Sequence, residues 1–259
     1  MFETITLDVD PRGVAMLTLN RPEKHNAMSG QMIDDLTQVA ARLDGDAAVR
    51  VVVLAGQGRS FCAGGDLGWM KAQIAADSAT RAEEARKLAD MLGILNSLSK
   101  PLIARVHGTA LGGGVGLCCV CDKVFAADTA MFGLTETKLG LIPATIGPFV
   151  VARMGGGNAR QVFMSSRPFD AFEAQRLGIV STLTTSQGLD AAVETEVIAY
   201  LKCAPAAVAE AKAMVLVLGQ APTKTTLDAS IKALVKRWEH PEAHQGITAF
   251  FDKSIPPWG

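Results

Sequence analysis

The chain has 259 residues, 49% of them hydrophobic, enough for one well-filled core plus an appendage. Charged residues make up 20% and the net charge is −1, with no long run of either sign, so the basic stripe of a nucleic-acid-binding protein is missing. No apolar stretch is long enough to span a bilayer, and the opening "MFETITLDVD" is acidic and alternating where a secretory signal would be basic and then apolar.

In chain order, "ITLDVDPRGVAMLTLNRP" alternates apolar and polar residues around Asp10-Pro11-Arg12-Gly13, which predicts a β-hairpin. Ser29 is placed to cap a helix running to about Leu43, with Met32, Ile33, Leu36, Val39, Ala40 and Leu43 at helical spacing. "VRVVVLAG" is short and fully apolar, the pattern of a buried strand. A loop follows, then a helix of about twenty residues ending near Ser99-Lys100-Pro101. "PLIARVHG" is a second buried strand, followed by a glycine run and its helix, and "KVFAAD" and "AMFGL" are short strands. From Ile146 the character changes: strands become scarce, and helical windows fall at 146–154, 157–164, 170–177, 188–202, 205–218, 223–238 and 241–252. Strands alternating with helices predict a layered α/β core with parallel crossovers and a helical tail.

The five cysteines, Cys62, Cys118, Cys119, Cys121 and Cys203, are odd in number, and three crowd into one apolar run. They read as reduced, buried thiols of a cytosolic protein. Cys118 and Cys121 have the spacing of half a zinc site, but no second pair lies nearby and both fall on a helix, so no metal is expected. His240 and His244 could share a helix face, yet Pro241 intervenes and no carboxylate partner is evident; His25 and His107 are isolated.

Two stretches share one design. "VVVLAG…SFCAGGDLGWM" runs strand, loop, Gly64-Gly65-Asp66 and a helical turn; "PLIARVHGTALGGGVGL" runs strand, loop, Gly112-Gly113-Gly114 and a helix. Each sets backbone N–H groups at the carboxyl end of a strand, where open α/β sheets bind ligands. A dinucleotide fingerprint needs G-x-G-x-x-G and a phosphate loop needs Gly-Lys-Ser/Thr; neither is present. An oxyanion hole built from one N–H of each loop fits best, against the plainer reading of two tight turns. Its proton donor and acceptor would be Glu136 in "FGLTETKLGLIP". Leu134, Leu139, Leu141 and Ile142 would desolvate that carboxylate, while Gly140 and Pro143 keep the segment out of regular helix. A solvated loop glutamate is the alternative.

"NRPEKHNAM", "SFCAGGDL", "HGTALGGGVGL", "MFGLTETKLGLIP" and "AFFDK" together resemble the enoyl-CoA hydratase/isomerase (crotonase) family over residues 5–253. The resemblance implies an α/β spiral of repeated ββα units, with a core over 1–200 and a helical trimerisation region over 201–259. It implies an acyl-CoA thioester substrate, CoA being part of the substrate and not a cofactor, and a cytoplasmic homotrimer or hexamer. The oxyanion donors fall on Gly65 and Gly113, and Glu136 matches the second catalytic glutamate of the hydratases. Ala63 and the segment Gly65, Asp66, Leu67 and Gly68 would line the CoA, with the adenine end near Ala63. Lys24 would lie near the CoA phosphates, and Phe250 and Lys253 would contact CoA, often from a neighbouring subunit.

The chain departs from the two-glutamate hydratases at Gly116, where they carry the other carboxylate. That change removes half of the water clamp and is expected to open space beside the substrate β-carbon, making Gly116 part of the substrate site. "IPATIGPFVVARMG" is a second departure. Together these features resemble a bacterial branch acting on branched, carboxylated enoyl-CoAs of the glutaconyl type, in leucine and acyclic terpene breakdown. The expected reaction is reversible hydration. A Δ3,Δ2-enoyl-CoA isomerase using one glutamate and a non-catalytic acyl-CoA-binding relative are the alternatives.

Overall fold

The computed structural model describes residues 2–219 and 222–258. Its strands are β1 (Ile5–Val9), β2 (Val14–Leu19), β3 (Val51–Gly56), β4 (Ser60–Cys62), β5 (Leu102–Val106), β6 (Thr109–Leu111), β7 (Lys123–Ala127), β8 (Met131–Gly133), β9 (Phe169–Asp170) and β10 (Thr182–Thr184). Its α-helices are α1 (Gly30–Gly45), α2 (Leu67–Ala75), α3 (Ser78–Ser97), α4 (Gly113–Val120), α5 (Gly147–Met154), α6 (Gly156–Val162), α7 (Ala171–Arg176), α8 (Leu189–Leu201), α9 (Pro205–Leu218), α10 (Lys224–Trp238) and α11 (Pro241–Phe251).

Asp10 closes the first hairpin by accepting from the N–H groups of Arg12 and Val14, and β1 and β2 pair antiparallel with Ile5 opposite Leu19. The six-stranded sheet runs β1-β2-β3-β5-β7-β10, and every pair after the hairpin is parallel. Alternate residues of its central strands enter two different cores. Val52, Leu54, Leu102, Ala104 and Val124 face the main core with α1, α3 and α4. Val51, Val53, Ile103 and Phe125 face Leu189, Val193 and Val197 of α8. Both faces are covered, so the strands read as continuous apolar runs.

The second sheet, β4-β6-β8-β9, holds the chief difference from the sequence reading. β4 and β6 lie in stretches expected to be loop, and β9 and β10 in a region expected to be almost all helix. Strands of two or three residues carry too few positions to show a period of two. The arrangement nevertheless repeats as the resemblance implies: β3, β5 and β7 each enter the large sheet, β4, β6 and β8 directly after them enter the small one, and helices follow.

The helical tail folds back onto its own chain. Ile231 of α10 packs on Ala85 and Ala89 of α3. Ala243 and Ile247 of α11 join Leu141 and Trp238 in a separate apolar cluster. A Cβ at Gly140 would lie 2.4 Å from the Glu242 carbonyl, and one at Gly246 would lie 2.6 Å from Leu139, so glycine on each side lets α11 press against the segment after Glu136. Arg237 Nε donates to the Gly140 carbonyl at 2.9 Å and its guanidinium pairs with Glu242 at 2.7 Å. By contrast, α9 buries none of its side chains.

The cysteine expectation needs one correction. Cys62, Cys118, Cys119 and Cys121 are buried free thiols, but Cys203 is exposed, because it follows α8 at the surface. His240 caps α11, its Nδ1 accepting from the Glu242 N–H at 3.3 Å.

Candidate active site

Three neighbouring strands of the small sheet end at one place. β4 and β6 run parallel, as do β6 and β8, so the segments leaving their carboxyl ends emerge side by side. The first carries Gly64-Gly65, the second Gly112-Gly113 and the third Glu136. The two glycine segments run close together: a Cβ built on Gly112 would lie 3.8 Å from the Gly64 Cα.

Gly65 pairs with Met28 in an isolated parallel bridge: the Met28 N–H donates to the Gly64 carbonyl at 2.7 Å, and the Asp66 N–H to the Met28 carbonyl at 2.9 Å. In such a bridge the central residue turns its own N–H to the opposite side. The Gly65 N–H accordingly meets no backbone carbonyl among the described residues. Gly113 is the first residue of α4, where an N–H has no acceptor within the helix, and it too donates to no backbone carbonyl among the described residues. Among the described residues neither donor has an acceptor, and the positive end of α4 lies beside one of them.

The glycines flanking Gly113 have different reasons. Gly112 has φ +46°, a conformation an L side chain rarely adopts. A Cβ at Gly114 would lie 2.4 Å from the Cys62 carbonyl, so only glycine lets α4 pack directly on β4.

Glu136 opens a 3-10 turn, Glu136–Leu139, ended by Gly140. Its Oε1 would sit 3.0 Å from a Cβ on Gly112, so the carboxylate lies against the second glycine segment. Its Oε2 is buried with no hydrogen-bond partner. Burial pushes the carboxyl up to about 7, against the smaller opposing pull of the backbone N–H groups of Glu136 and Thr135. A carboxyl titrating there can both take and give a proton near neutrality.

Residues 10–259 match the family described as enoyl-CoA hydratase/isomerase, nearly the whole chain. The chain belongs to the enoyl-CoA hydratase/isomerase family. It is 34% identical over 203 residues to the enoyl-CoA hydratase ACTT6 of Alternaria alternata, covering 78% of this chain and 66% of that one. An enoyl-CoA hydratase of Shewanella pealeana superposes with a TM-score of 0.82 at 33% identity, over 100% of this chain and 97% of the other. AtuE of Pseudomonas aeruginosa does so with a TM-score of 0.81 at 38% identity, over 99% of both. The chain is thus an enzyme of the hydratase or isomerase type with the α/β crotonase fold.

Within this hydratase/isomerase, Ala63, Gly65, Leu67, Gly113, Glu136 and Phe250 line one cavity of about 380 Å³. Phe250 reaches it from α11 of the same chain. Asp66 instead holds the local backbone: its carboxylate caps α2, accepting from the Gly68 and Trp69 N–H groups at 2.8 and 3.2 Å, and pairs with Arg21 at 3.1 Å. Burial would raise the Asp66 carboxyl, but the Trp69 N–H, the Arg21 guanidinium and the Gly68 N–H together hold it below its ordinary value. Lys24 is exposed on a 3-10 turn, Pro22–Lys24, outside the cavity wall; the Ala63 N–H donates to the neighbouring His25 carbonyl at 3.0 Å and ties that turn to the first glycine segment. Gly68 and Lys253 also lie off the wall.

The expectation for Gly116 is corrected. A Cβ there would lie 2.7 Å from Ile146 Cγ2 and 3.1 Å from Ile146 Cβ. No space opens at this glycine; Ile146 fills it, and Ile146 itself faces the cavity. Ile146 and the adjacent Thr145 stand in the divergent "IPATIGP" stretch but received no role from sequence. The available signal was a hydroxyl and a branched side chain in a stretch already known to depart from the family pattern.

Among the described residues no group of three or more His, Cys, Asp or Glu could hold a metal. Burial pushes the Cys62 thiol up to about 11 and Cys119 up to about 12, so these are poor nucleophiles. No helix among the described residues is long and apolar enough to cross a membrane.

Proposed function

We propose that the enzyme adds water reversibly to an α,β-unsaturated acyl-CoA, with Glu136 as the acid-base group and the Gly65 and Gly113 N–H groups as the oxyanion hole. The observation that carries this reading is the buried, unpartnered Glu136 Oε2 beside two free glycine N–H groups. The thioester oxygen accepts from both donors. Glu136 takes a proton from water as the oxygen attacks Cβ, the π electrons move to Cα, and the enolate charge gathers on the thioester oxygen. Glu136 then returns the proton to Cα. Loss of one oxyanion donor typically lowers the rate on the order of 10²–10³-fold.

A branched, glutaconyl-type ester is the proposed substrate class. Among the described residues Lys138 is the one lysine or arginine on the cavity wall and forms no ion pair, so it supports this class as a partner for a second carboxylate. Lys24 and Lys253 are proposed contacts of the CoA phosphates, outside the acyl cavity, in a cytoplasmic enzyme. The division into a core over 1–200 and an oligomerising region over 201–259 is also proposed. Its support is α9, where Met214, Val215, Val217 and Leu218 are all more than half exposed, an apolar face suited to a second copy in a trimer or hexamer.

The experiment is a panel of enoyl-CoA esters, crotonyl-CoA and 3-methylglutaconyl-CoA included, assayed in ¹⁸O-labelled water. Hydration puts the label on the product. The single carboxylate left once Ile146 fills the Gly116 side also suits proton transfer between Cα and Cγ; a product of unchanged oxygen content with a shifted double bond would establish isomerisation instead.

A further inference from the structure

A water molecule attacking Cβ must be held from more than one direction, because one hydrogen bond leaves it free to rotate about that bond. In this chain the second holder cannot come from position 116. Gly116 has no side chain, and its Cβ direction is closed by Ile146.

Next to Ile146 stands Thr145, 3% exposed, on the wall of the same cavity as Glu136. Its Oγ1 is buried and has no hydrogen-bond partner. A buried hydroxyl left unpaired forfeits its hydrogen bonds to water, so an unpaired one inside a binding cavity points to a ligand that pairs it. The orphaned side-chain atoms on this cavity wall are Glu136 Oε2 and Thr145 Oγ1, among the described residues. The other groups around the acyl site are mostly apolar: Met28, Met70, Leu139 and Ile142.

We infer that Thr145 is a catalytic residue of the hydration, its Oγ1 and Glu136 Oε2 together holding the attacking water. This rests on the hydration reading above. The water donates one hydrogen to Glu136 and the other to Thr145 Oγ1, which leaves an oxygen lone pair directed at Cβ. On attack the O–Cβ bond forms, the O–H bond to Glu136 breaks, and that proton passes by way of Glu136 to Cα. The O–H bond toward Thr145 stays intact and becomes the hydroxyl of the product. Thr145 gains and loses no proton, and no co-reactant is needed. The Thr145-Ile146 pair thereby does from one loop what a carboxylate on α4 would do: Ile146 closes that side, and Thr145 supplies the polar contact.

The test compares Thr145→Val, nearly the same shape without the hydroxyl, with Thr145→Ser, which keeps it. The assay uses whichever ester of the panel the wild type hydrates fastest, and butyryl-CoA, which has no double bond to hydrate, reports binding. The expected result is a fall in kcat of about 10²-fold for the valine variant. Its Kd for butyryl-CoA should match the wild type and its Tm should be no lower, since the unpaired hydroxyl is gone, and the serine variant should recover most of the rate. Equal kcat in the valine variant and the wild type overturns the inference. So does a fall in kcat matched by weaker butyryl-CoA binding or a lower Tm, or a serine variant as slow as the valine one. A wild type that hydrates no ester of the panel overturns the hydration reading and this inference with it.

Discussion

The two sheets divide the work of the molecule. Apart from β10, the strands of the six-stranded sheet have five or six residues, and its central strands send apolar residues into the two cores. The four-stranded sheet has strands of two or three residues, and three of them lead into the glycine segments proposed as oxyanion donors and into Glu136. Parallel pairing of β4, β6 and β8 places three chemically distinct segments side by side without any covalent or metal link. A fold can therefore keep its stability in one sheet and set its chemistry at the carboxyl ends of another.

Substitutions can break that division or sharpen it. The largest effect belongs to Glu136→Gln, which should lower the hydration rate by about 10³-fold while butyryl-CoA still binds. Steady-state kinetics beside a binding titration checks both halves. Leu54→Ala, in the large sheet, should do the reverse: a loss of about 2–5 kcal/mol in denaturant unfolding, with kcat per folded molecule unchanged. If Leu54→Ala proved harmless to stability and harmful to kcat, the division between the sheets would fail.

Stability should also depend on pH through the site. Glu136 has a carboxyl raised to about 7 from an ordinary 4.5, so the folded protein holds this proton more tightly than the unfolded chain. That contribution is fully present below the ordinary value and is lost as pH rises through about 7. Glu136→Gln should thus be more stable than wild type at alkaline pH, by up to about 3 kcal/mol, with the gap closing toward pH ~4.5. Melting curves across that range would show it, and a gap that stayed constant would contradict the burial of the charge.

Gly116→Ala should cost about 1–3 kcal/mol, because the new methyl meets Ile146, and combined with Ile146→Ala it should cost less than the sum of the two single losses. The smallest effect is expected for Asp66→Ala, about 0.5–2 kcal/mol from the lost cap of α2. Asp66 is off the cavity wall, so kcat should stay near that of the wild type.

Much of this architecture is legible in the residues alone. The helix capped by Ser29, the helix over α3 and the helical windows of the tail each extend over eight or more residues, and each corresponds to an element of the structure. β4 and β6 escape for the opposite reason: three residues among glycines carry no period. Glu136 stood out as a carboxylate among leucines, a local signal. The contact between Gly116 and Ile146 joins positions thirty residues apart, and nothing local records it. Thr145 was hidden in the same way, since a threonine in an apolar run is ordinary until its hydroxyl is found without a partner.

The seating of Ile146 over Gly116 also constrains how this enzyme could change by descent. A glutamate arriving at 116 alone would collide with Ile146, so the first mutant would be penalised before a second carboxylate could serve the reaction. Shortening Ile146 first would leave a hole beside the acyl site and gain nothing. Each single step disturbs the packing that the double change would preserve, so the Gly116–Ile146 pair resists the arrival of a carboxylate at 116 by single substitutions.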